Sequence, residues 1–175
     1  MRYIIVAGSF LVLFGCCFSG AQTNLYWMTD TGPGEQIGIV LLTDTEQGLL
    51  VRVSVENLPP GPHGFHVHEN PSCQAVLRSD GTLQYAGQAG DHYDPHQTHR
   101  HAGPNGAGHL GDLPLLVADE DGFAAAQFYI TDLTVRDLNN RSLVIHADGD
   151  NYQDTPLPSG GGGDRIACGI IRISD

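Results

Sequence analysis

The chain has 175 residues, which is enough for one domain with a hydrophobic core. Its formal net charge is −12 at pH 7, and all eight of its basic residues are arginines. We expect no nucleic-acid partner and no binding to an anionic membrane surface, because phosphate groups are bound by basic surfaces. The 23 glycines and 10 prolines, together with short runs of β-branched residues, favour many short strands over a helical bundle.

The first 21 residues have the pattern of a secretory signal peptide. Arg2 is followed by an apolar run over 4–14, which is too short for a comfortable membrane span. Small residues at 19–21 predict cleavage before Gln22, so that 22–175 form the mature domain. The alternative is a membrane-anchored lipoprotein, because residues 13–16 are similar to a lipobox that would place a lipid anchor on Cys16.

Two cysteines, Cys73 and Cys168, remain after such a cleavage. In an exported protein an even pair indicates one disulfide; the alternative, two buried thiols, is disfavoured in an oxidising compartment. The bond would close a loop of about a hundred residues. In the chain-entropy model such a loop contributes about 4–5 kcal/mol to the free energy of unfolding.

Short strands are predicted along most of the mature chain, with turns rich in glycine, proline and aspartate between them. Hydrophobic residues alternate from Leu49 onward, so that Val51, Val53 and Val55 share one face. This spacing indicates an antiparallel sandwich or barrel. The predicted strands are 24–31, 36–43, 49–55, 63–68, 113–117, 123–130, 141–146 and 166–174.

The strand over 63–68 contains the first candidate metal ligands. Residues two apart on a strand point to the same side, so His66 and His68 can bind one metal while Phe65 and Val67 face the core. His63 precedes a glycine, and we interpret it as a structural histidine that fixes the backbone by hydrogen bonds.

No periodicity is present over 70–113, and an ordered loop of this length must be functional or held in place. Cys73 could tie its first part to the last strand through Cys168. A metal could hold its second part, because three imidazoles and a carboxylate make a closed tetrahedral zinc set of the structural kind. The alternative is a merely solvated polar loop. The candidate zinc ligands are His92, His101, His109 and Asp112.

His146 ends the strand over 141–146. A histidine in this position is ordinarily a core residue, but the histidine-rich site elsewhere in the chain favours a ligand. A second long loop follows over 147–164 and ends in a glycine run at 160–163. No Lys-Ser/Thr follows that run, so a phosphate-binding P-loop is excluded.

With these motifs in place, the sequence resembles the copper-zinc superoxide dismutase family, in its bacterial periplasmic form. The resemblance covers essentially all of 22–175 and rests on residues 64–73, 92–95, 108–114, 146, 150–152 and 165–169. It implies an all-β fold, an eight-stranded antiparallel Greek-key β-barrel of the immunoglobulin-like sandwich type with two long functional loops.

The resemblance also implies a role for each site residue. Asp150 would link a copper histidine to a zinc histidine and so orient both, and Arg165 would attract the anion beside copper. Cys73 and Cys168 would form the disulfide of the family. His92 would bridge the two metals as an imidazolate. The implied copper ligands are His66, His68, His92 and His146, and the implied zinc ligands are His92, His101, His109 and Asp112.

The implied reaction is a two-step cycle on superoxide anions. Copper(II) would oxidise one superoxide to dioxygen, and copper(I) would reduce a second to hydrogen peroxide. His92 would leave copper on reduction, take up a proton and deliver it. The enzyme would work in the periplasm and protect against extracytoplasmic oxidative stress. The resemblance also admits a homodimer, because bacterial members of the family often pair.

Two other functions would fit part of this pattern. A copper-delivery protein that shares the barrel without catalysis should lack a copper ligand or Arg165, and this sequence retains both. A copper-only dismutase would lack the zinc residues and much of the late loop, and both are present.

The sequence departs from the family in having no lysine, whereas the family usually places lysines near the active-site channel to attract superoxide. We therefore expect local attraction to depend on Arg165, with help from Arg78 or Arg100. His96 and His99 lie outside the ligand pattern and are expected to be solvated loop residues.

Overall fold

The structure is a computed structural model and describes residues 20–104 and 106–173. The predicted signal peptide and the alternative lipid anchor at Cys16 thus lie outside the described residues, except for Gly20 and Ala21, which begin the first strand. None of the helical segments in these two ranges is long and apolar enough to cross a membrane.

Eleven strands and two short 3₁₀ helices make up the secondary structure of the described ranges. The helices are Gly87–Ala89 and Pro158–Gly161. The strands are β1 (Gly20–Thr29), β2 (Gly32–Thr45), β3 (Gly48–Val55), β4 (Gly61–His63), β5 (Phe65–His68), β6 (Val76–Leu77), β7 (Leu83–Gln84), β8 (Leu116–Ala118), β9 (Ala124–Ile130), β10 (Ser142–His146) and β11 (Arg165–Ile170).

Seven of these strands form one antiparallel sheet in the order β5-β10-β11-β1-β2-β3-β9, and β4 pairs with β8. β4 and β5 are one strand interrupted at Gly64, whose first half pairs with β8 and whose second half pairs with β10. With that strand counted once, and without the two-residue strands β6 and β7, the described ranges contain eight strands. The predicted all-β, eight-stranded antiparallel fold is confirmed.

The segment over 111–113 returns the chain to the far edge of β5. The Val67 amide donates to the Gly111 carbonyl at 2.9 Å, and the Leu113 amide donates to the Phe65 carbonyl at 3.3 Å. The same segment leads into β8, and a tight turn closed by the Asp119 amide and the Phe123 carbonyl joins β8 to β9. The chain therefore connects one end of the sheet to the other, which curls the sheet into a barrel.

The alternation predicted for β3 places Val51, Val53 and Val55 in the hydrophobic core, and Phe65 and Val67 are buried in the same core. A smaller buried cluster surrounds the two cysteines. Cys73 and Cys168 form a disulfide across 95 positions of sequence, with 5.7 Å between their Cα atoms. The predicted disulfide is therefore present.

Several predicted boundaries differ from the structure. β1 and β2 are longer than predicted because they pair along almost their whole length, from Gly20 opposite Thr43 to Thr29 opposite Gly32. The region over 70–113 was predicted to lack regular structure, and it contains the hairpin of β6 and β7 and one 3₁₀ helix. Two residues in each strand are too few to give a periodic signal.

Candidate metal centre

Four histidines meet at one end of β5 and β10. His66 and His68 lie on β5, and His146 is the last residue of β10. His92 comes from the long loop and faces His68 in an isolated antiparallel bridge. All four are buried, and each can offer a ring nitrogen such that the four nitrogens lie within 4.8 Å of one another. The structure therefore brings together the four residues predicted to bind copper.

Three ring nitrogens in this group are buried and have no hydrogen-bond partner: Nδ1 of His66, Nε2 of His68 and Nε2 of His146. The opposite nitrogen of His66 contacts Asp150 at 2.8 Å, and that of His68 donates to the Gly90 carbonyl at 2.9 Å. An unpaired buried polar atom costs about 1–3 kcal/mol, so three in one place indicate that something binds there. Converging imidazole nitrogens are ligands that suit copper.

A second group surrounds the carboxylate of Asp112. Nδ1 of His92 and Nδ1 of His101 each lie 2.9 Å from one of its oxygens, and Nδ1 of His109 lies at 3.3 Å. The nitrogen of His101 is not aligned for a hydrogen bond despite this distance. His66, His92, His101 and Asp112 also lie within 4.8 Å by their ligand atoms, whereas His109 sits at the rim with its side chain 13% exposed. The three imidazoles around Asp112, from His92, His101 and His109, together with its carboxylate, are a donor set that fits zinc.

Asp150 connects the two groups. Its Oδ2 accepts from Nε2 of His66 and its Oδ1 from Nε2 of His101, both at 2.8 Å. Burial alone would raise the pKa of Asp150, but the hydrogen bonds from His101 and His66 hold that pKa well below its ordinary value. The carboxylate is therefore ionised, and it fixes the orientation of one ring in each group.

The protonation of the histidines differs between the groups. Burial lowers the pKa of His66, His68 and His146, and it lowers the pKa of His92 to about 4. These rings are neutral at neutral pH, which is the form that binds metals. Burial also opposes the charged form of His101, but the carboxylates of Asp112 and Asp150 outweigh it and raise the pKa of His101 to about 9.

Arg165 begins β11 directly opposite His146. Its guanidinium is half-buried and donates to the carbonyls of Ala86 and Gly90, each at 2.8 Å. The Gly90 carbonyl also accepts from Nδ1 of His68, so one backbone oxygen fixes both the arginine and a histidine of the first group. Gly90 has φ 81°, a conformation that a residue with a side chain rarely adopts.

The glycine run in the second loop has a packing function that sequence reasoning missed. A side chain at Gly160, which has φ 77°, would strike the carboxylate of Asp150 and the ring of His101. A Cβ at Gly162 would come within 3.0 Å of the Cβ of His146. The run therefore lets the loop lie directly on the metal centre, which explains glycines that no phosphate-binding motif accounts for.

An open cleft of about 510 Å³ lies on the outer side of His92 and His109. His92 and His109 line it, together with four acidic residues that the sequence alone did not place there. The acidic residues that line the cleft are Glu69, Asp91, Asp94 and Asp154.

The side chains expected to be solvated or to help attract the anion are at the surface. His96 and His99 are exposed, and so are Arg78 and Arg100.

Known proteins that are similar to this chain in sequence and in structure belong to one family. Residues 36–171 match the family model described as copper/zinc superoxide dismutase (SODC). A "Superoxide dismutase [Cu-Zn]" of Brucella abortus biovar 1 (strain 9-941) is 44% identical over 98% of this chain and 100% of its own length. The protein of that name from Escherichia coli (strain K12) is 40% identical over 98% of this chain and 99% of its own.

Two solved structures have the same fold. The Cu/Zn superoxide dismutase from Brucella abortus superposes with a TM-score of 0.82 and 46% identity, covering 87% of this chain and 99% of its own. The monomeric copper, zinc superoxide dismutase from Salmonella enterica gives 0.77 and 43%, covering 88% and 100%. The match extends over most of the chain in sequence and in structure, and this chain therefore belongs to the copper/zinc superoxide dismutase family.

Proposed function

We propose that the protein is an exported superoxide dismutase, which converts two superoxide anions to dioxygen and hydrogen peroxide. The observation that carries this proposal is the convergence of unpartnered, buried ring nitrogens from His66, His68 and His146 beside His92. A redox metal bound by neutral nitrogen donors, with a fixed arginine nearby, is the arrangement that one-electron chemistry on a small anion requires.

In this proposal His66, His68, His92 and His146 hold copper, and His92, His101, His109 and Asp112 hold zinc. Copper supplies one-electron oxidation and reduction, and zinc, which is redox-silent, holds the loop. The contact between Nδ1 of His92 and Asp112 leaves Nε2 as the nitrogen available to the first group. Asp150 keeps the rings of His66 and His101 in place from behind.

Arg165 and His92 have two further roles in this proposal, anion binding and proton delivery. The guanidinium of Arg165 binds the superoxide anion, and its two backbone partners keep it from swinging away. His92 has two ring nitrogens that serve different partners, so it can hold a proton on Nε2 and deliver it to the reduced product. The carboxylate of Asp112 stays ionised and holds Nδ1 of His92 in place while Nε2 carries the proton.

Export to the periplasm is part of the proposal. It is supported by the apolar N-terminal run in the sequence and by the disulfide between Cys73 and Cys168, because such bonds persist in oxidising compartments. Mass spectrometry of the protein isolated from a bacterial periplasmic fraction is expected to find an N-terminus at Gln22. A lipid-modified N-terminus at Cys16 would support the lipoprotein instead, and an intact Met1 would contradict both.

The activity is tested on purified protein loaded with both metals. We expect stoichiometric copper and zinc by elemental analysis and rapid removal of superoxide after pulse radiolysis. His146→Ala should lose this activity while keeping the fold, as judged by circular dichroism. Metal-replete wild-type protein without activity would overturn the proposal, and activity retained by His146→Ala would overturn the assignment of that ligand.

A further inference from the structure

Arg141 is an unusual arginine in this chain. Among the arginines of the described residues, only Arg141 and Arg165 are not exposed, and Arg165 already has its place beside the metal centre. The Nε of Arg141 is buried without a hydrogen-bond partner, which costs free energy. A half-buried arginine with an unpaired Nε, next to the segments of a metal centre, requires an explanation.

The surroundings of Arg141 are the two segments that carry His68 and His92. These segments run side by side as a short ladder in which the Tyr93 amide donates to the Val67 carbonyl at 2.8 Å. The Glu69 amide donates in turn to the Asp91 carbonyl at 3.1 Å. The bridge between His68 and His92 lies inside this ladder, so its geometry sets the separation of the two imidazoles.

Arg141 contacts both sides of the ladder. Its Nη1 donates to the Glu69 carbonyl at 2.6 Å, next to His68. Its guanidinium carbon lies 4.6 Å from the centre of the Tyr93 ring, next to His92, in a cation–π contact. The neighbouring Ser142 strengthens the first attachment, because its hydroxyl donates to the Asn70 carbonyl at 2.9 Å.

The side of the ladder that carries His92 is also joined to the segment that carries Asp112. The Gly111 amide donates to the Tyr93 carbonyl at 2.9 Å, immediately before Asp112. Tyr93 is thus joined to the strand of His68 by its amide, to the segment of Asp112 by its carbonyl, and to Arg141 by its ring. A shift of Tyr93 would move His92 relative to both groups.

We propose that Arg141 is a positioning residue of the metal centre, which fixes the distance between His68 and His92 by holding Glu69 and Tyr93 together from outside. It touches neither ring and acts through the backbone of the two segments. This inference rests on the proposed assignment of His68 and His92 as copper ligands.

The experiment compares copper- and zinc-loaded wild-type protein with Arg141→Gln, Arg141→Lys and Tyr93→Leu. Arg136→Gln is the control, because Arg136 is exposed. The readouts are the visible and electron paramagnetic resonance spectra of bound copper(II), its affinity in competition with a chelator, and the melting temperature of the metal-free protein. We expect Arg141→Gln and Tyr93→Leu to change the copper spectra and weaken copper binding about tenfold.

Arg141→Lys keeps a cation near the ring and one donor for Glu69, and should largely restore the wild-type spectra, while Arg136→Gln should match wild type. Unchanged spectra and affinity in Arg141→Gln would overturn the inference, even with a lower melting temperature, because a merely structural arginine would give that result. A wild-type protein that binds no copper at this centre would instead overturn the proposed function, and this inference with it.

Discussion

Nδ1 of His63 lies 2.8 Å from the carbonyl oxygen of His146. Its Nε2 lies 2.7 Å from the carbonyl oxygen of Pro59. Carbonyl oxygens only accept hydrogen bonds, so the ring N–H of this buried histidine donates to one of these two oxygens while the other ring nitrogen lies against the second. His63 therefore ties the turn before β4 to the backbone of a histidine in the metal centre, in agreement with the structural role predicted for it.

Replacement of His63 by alanine should remove the ring N–H and both contacts that this buried ring makes with the carbonyls of His146 and Pro59. We expect His63→Ala to lower the free energy of unfolding by about 3 kcal/mol, measured by urea denaturation of the metal-free protein. His99→Ala serves as the control, because His99 is exposed, and should change stability by less than about 0.5 kcal/mol. Equal stabilities of the two variants would contradict the structural role.

Asp150→Asn should weaken metal binding. The amide of asparagine has one acceptor oxygen where the carboxylate has two, so the rings of His66 and His101 cannot both remain paired. We expect zinc affinity to fall about 10- to 100-fold in competition with a chelator. Asp148→Asn, at an exposed neighbouring position, should bind zinc as wild type does. A loss of the same size in both variants would argue for a general charge effect.

The metal-free protein should lose stability as the pH falls below neutrality. The pKa of His92 is lowered to about 4, so between pH 6.5 and pH 4 the unfolded chain takes up a proton that the folded chain does not. Acid therefore favours unfolding, and His92 alone should account for about 2 kcal/mol between pH 7 and pH 5. Urea denaturation at both pH values should show a smaller loss in His92→Gln, and an unchanged loss would refute this account.

The disulfide should contribute strongly to stability. Because it joins positions 95 apart, its removal enlarges the unfolded ensemble, and we expect Cys73→Ser with Cys168→Ser to lose about 4 kcal/mol. Denaturant titration of the metal-free double variant, compared with oxidised wild type, measures this loss, and chemically reduced wild type should lose a similar amount. A double variant as stable as the oxidised wild type would show that residual structure in the unfolded chain removes the effect.

Arg165 is expected to provide net local attraction for superoxide. Arg165→Gln should lower the rate constant for superoxide removal by about tenfold at low salt, whereas Arg172→Gln should not. Added salt should lower the wild-type rate or leave it flat, as followed by pulse radiolysis. A sharp rise with salt would mean instead that the negative net charge of the protein dominates the approach of the anion.

Much of the site follows from local pattern. The two-residue repeat of β5 predicts that His66 and His68 lie together while Phe65 and Val67 enter the core, and the structure agrees. The histidine-rich site favours His146 as a further ligand, but the full set of copper ligands is implied only by the resemblance, because spacing in sequence does not fix long-range pairing. The resemblance also implies that Asp150 links one copper histidine to one zinc histidine, and only the structure identifies these as His66 and His101.

Other features leave no signal in one sequence. Arg141 and Glu69 are 72 positions apart, and neither belongs to a motif that would join them. The packing of Gly160 against Asp150 depends on the path of the second loop, which has no periodicity. The acidic lining of the cleft arises from four separate points of the chain and is apparent only once the loops are folded.

The short segment over 111–113 has a consequence for self-association. By pairing with β5 it covers the outer backbone edge of the strand that carries His66 and His68. An uncovered edge strand of this hydrophobic kind is a template onto which another chain can add. Because Asp112 lies in the covering segment, we expect a change that frees this residue to expose part of that edge and to favour association between chains.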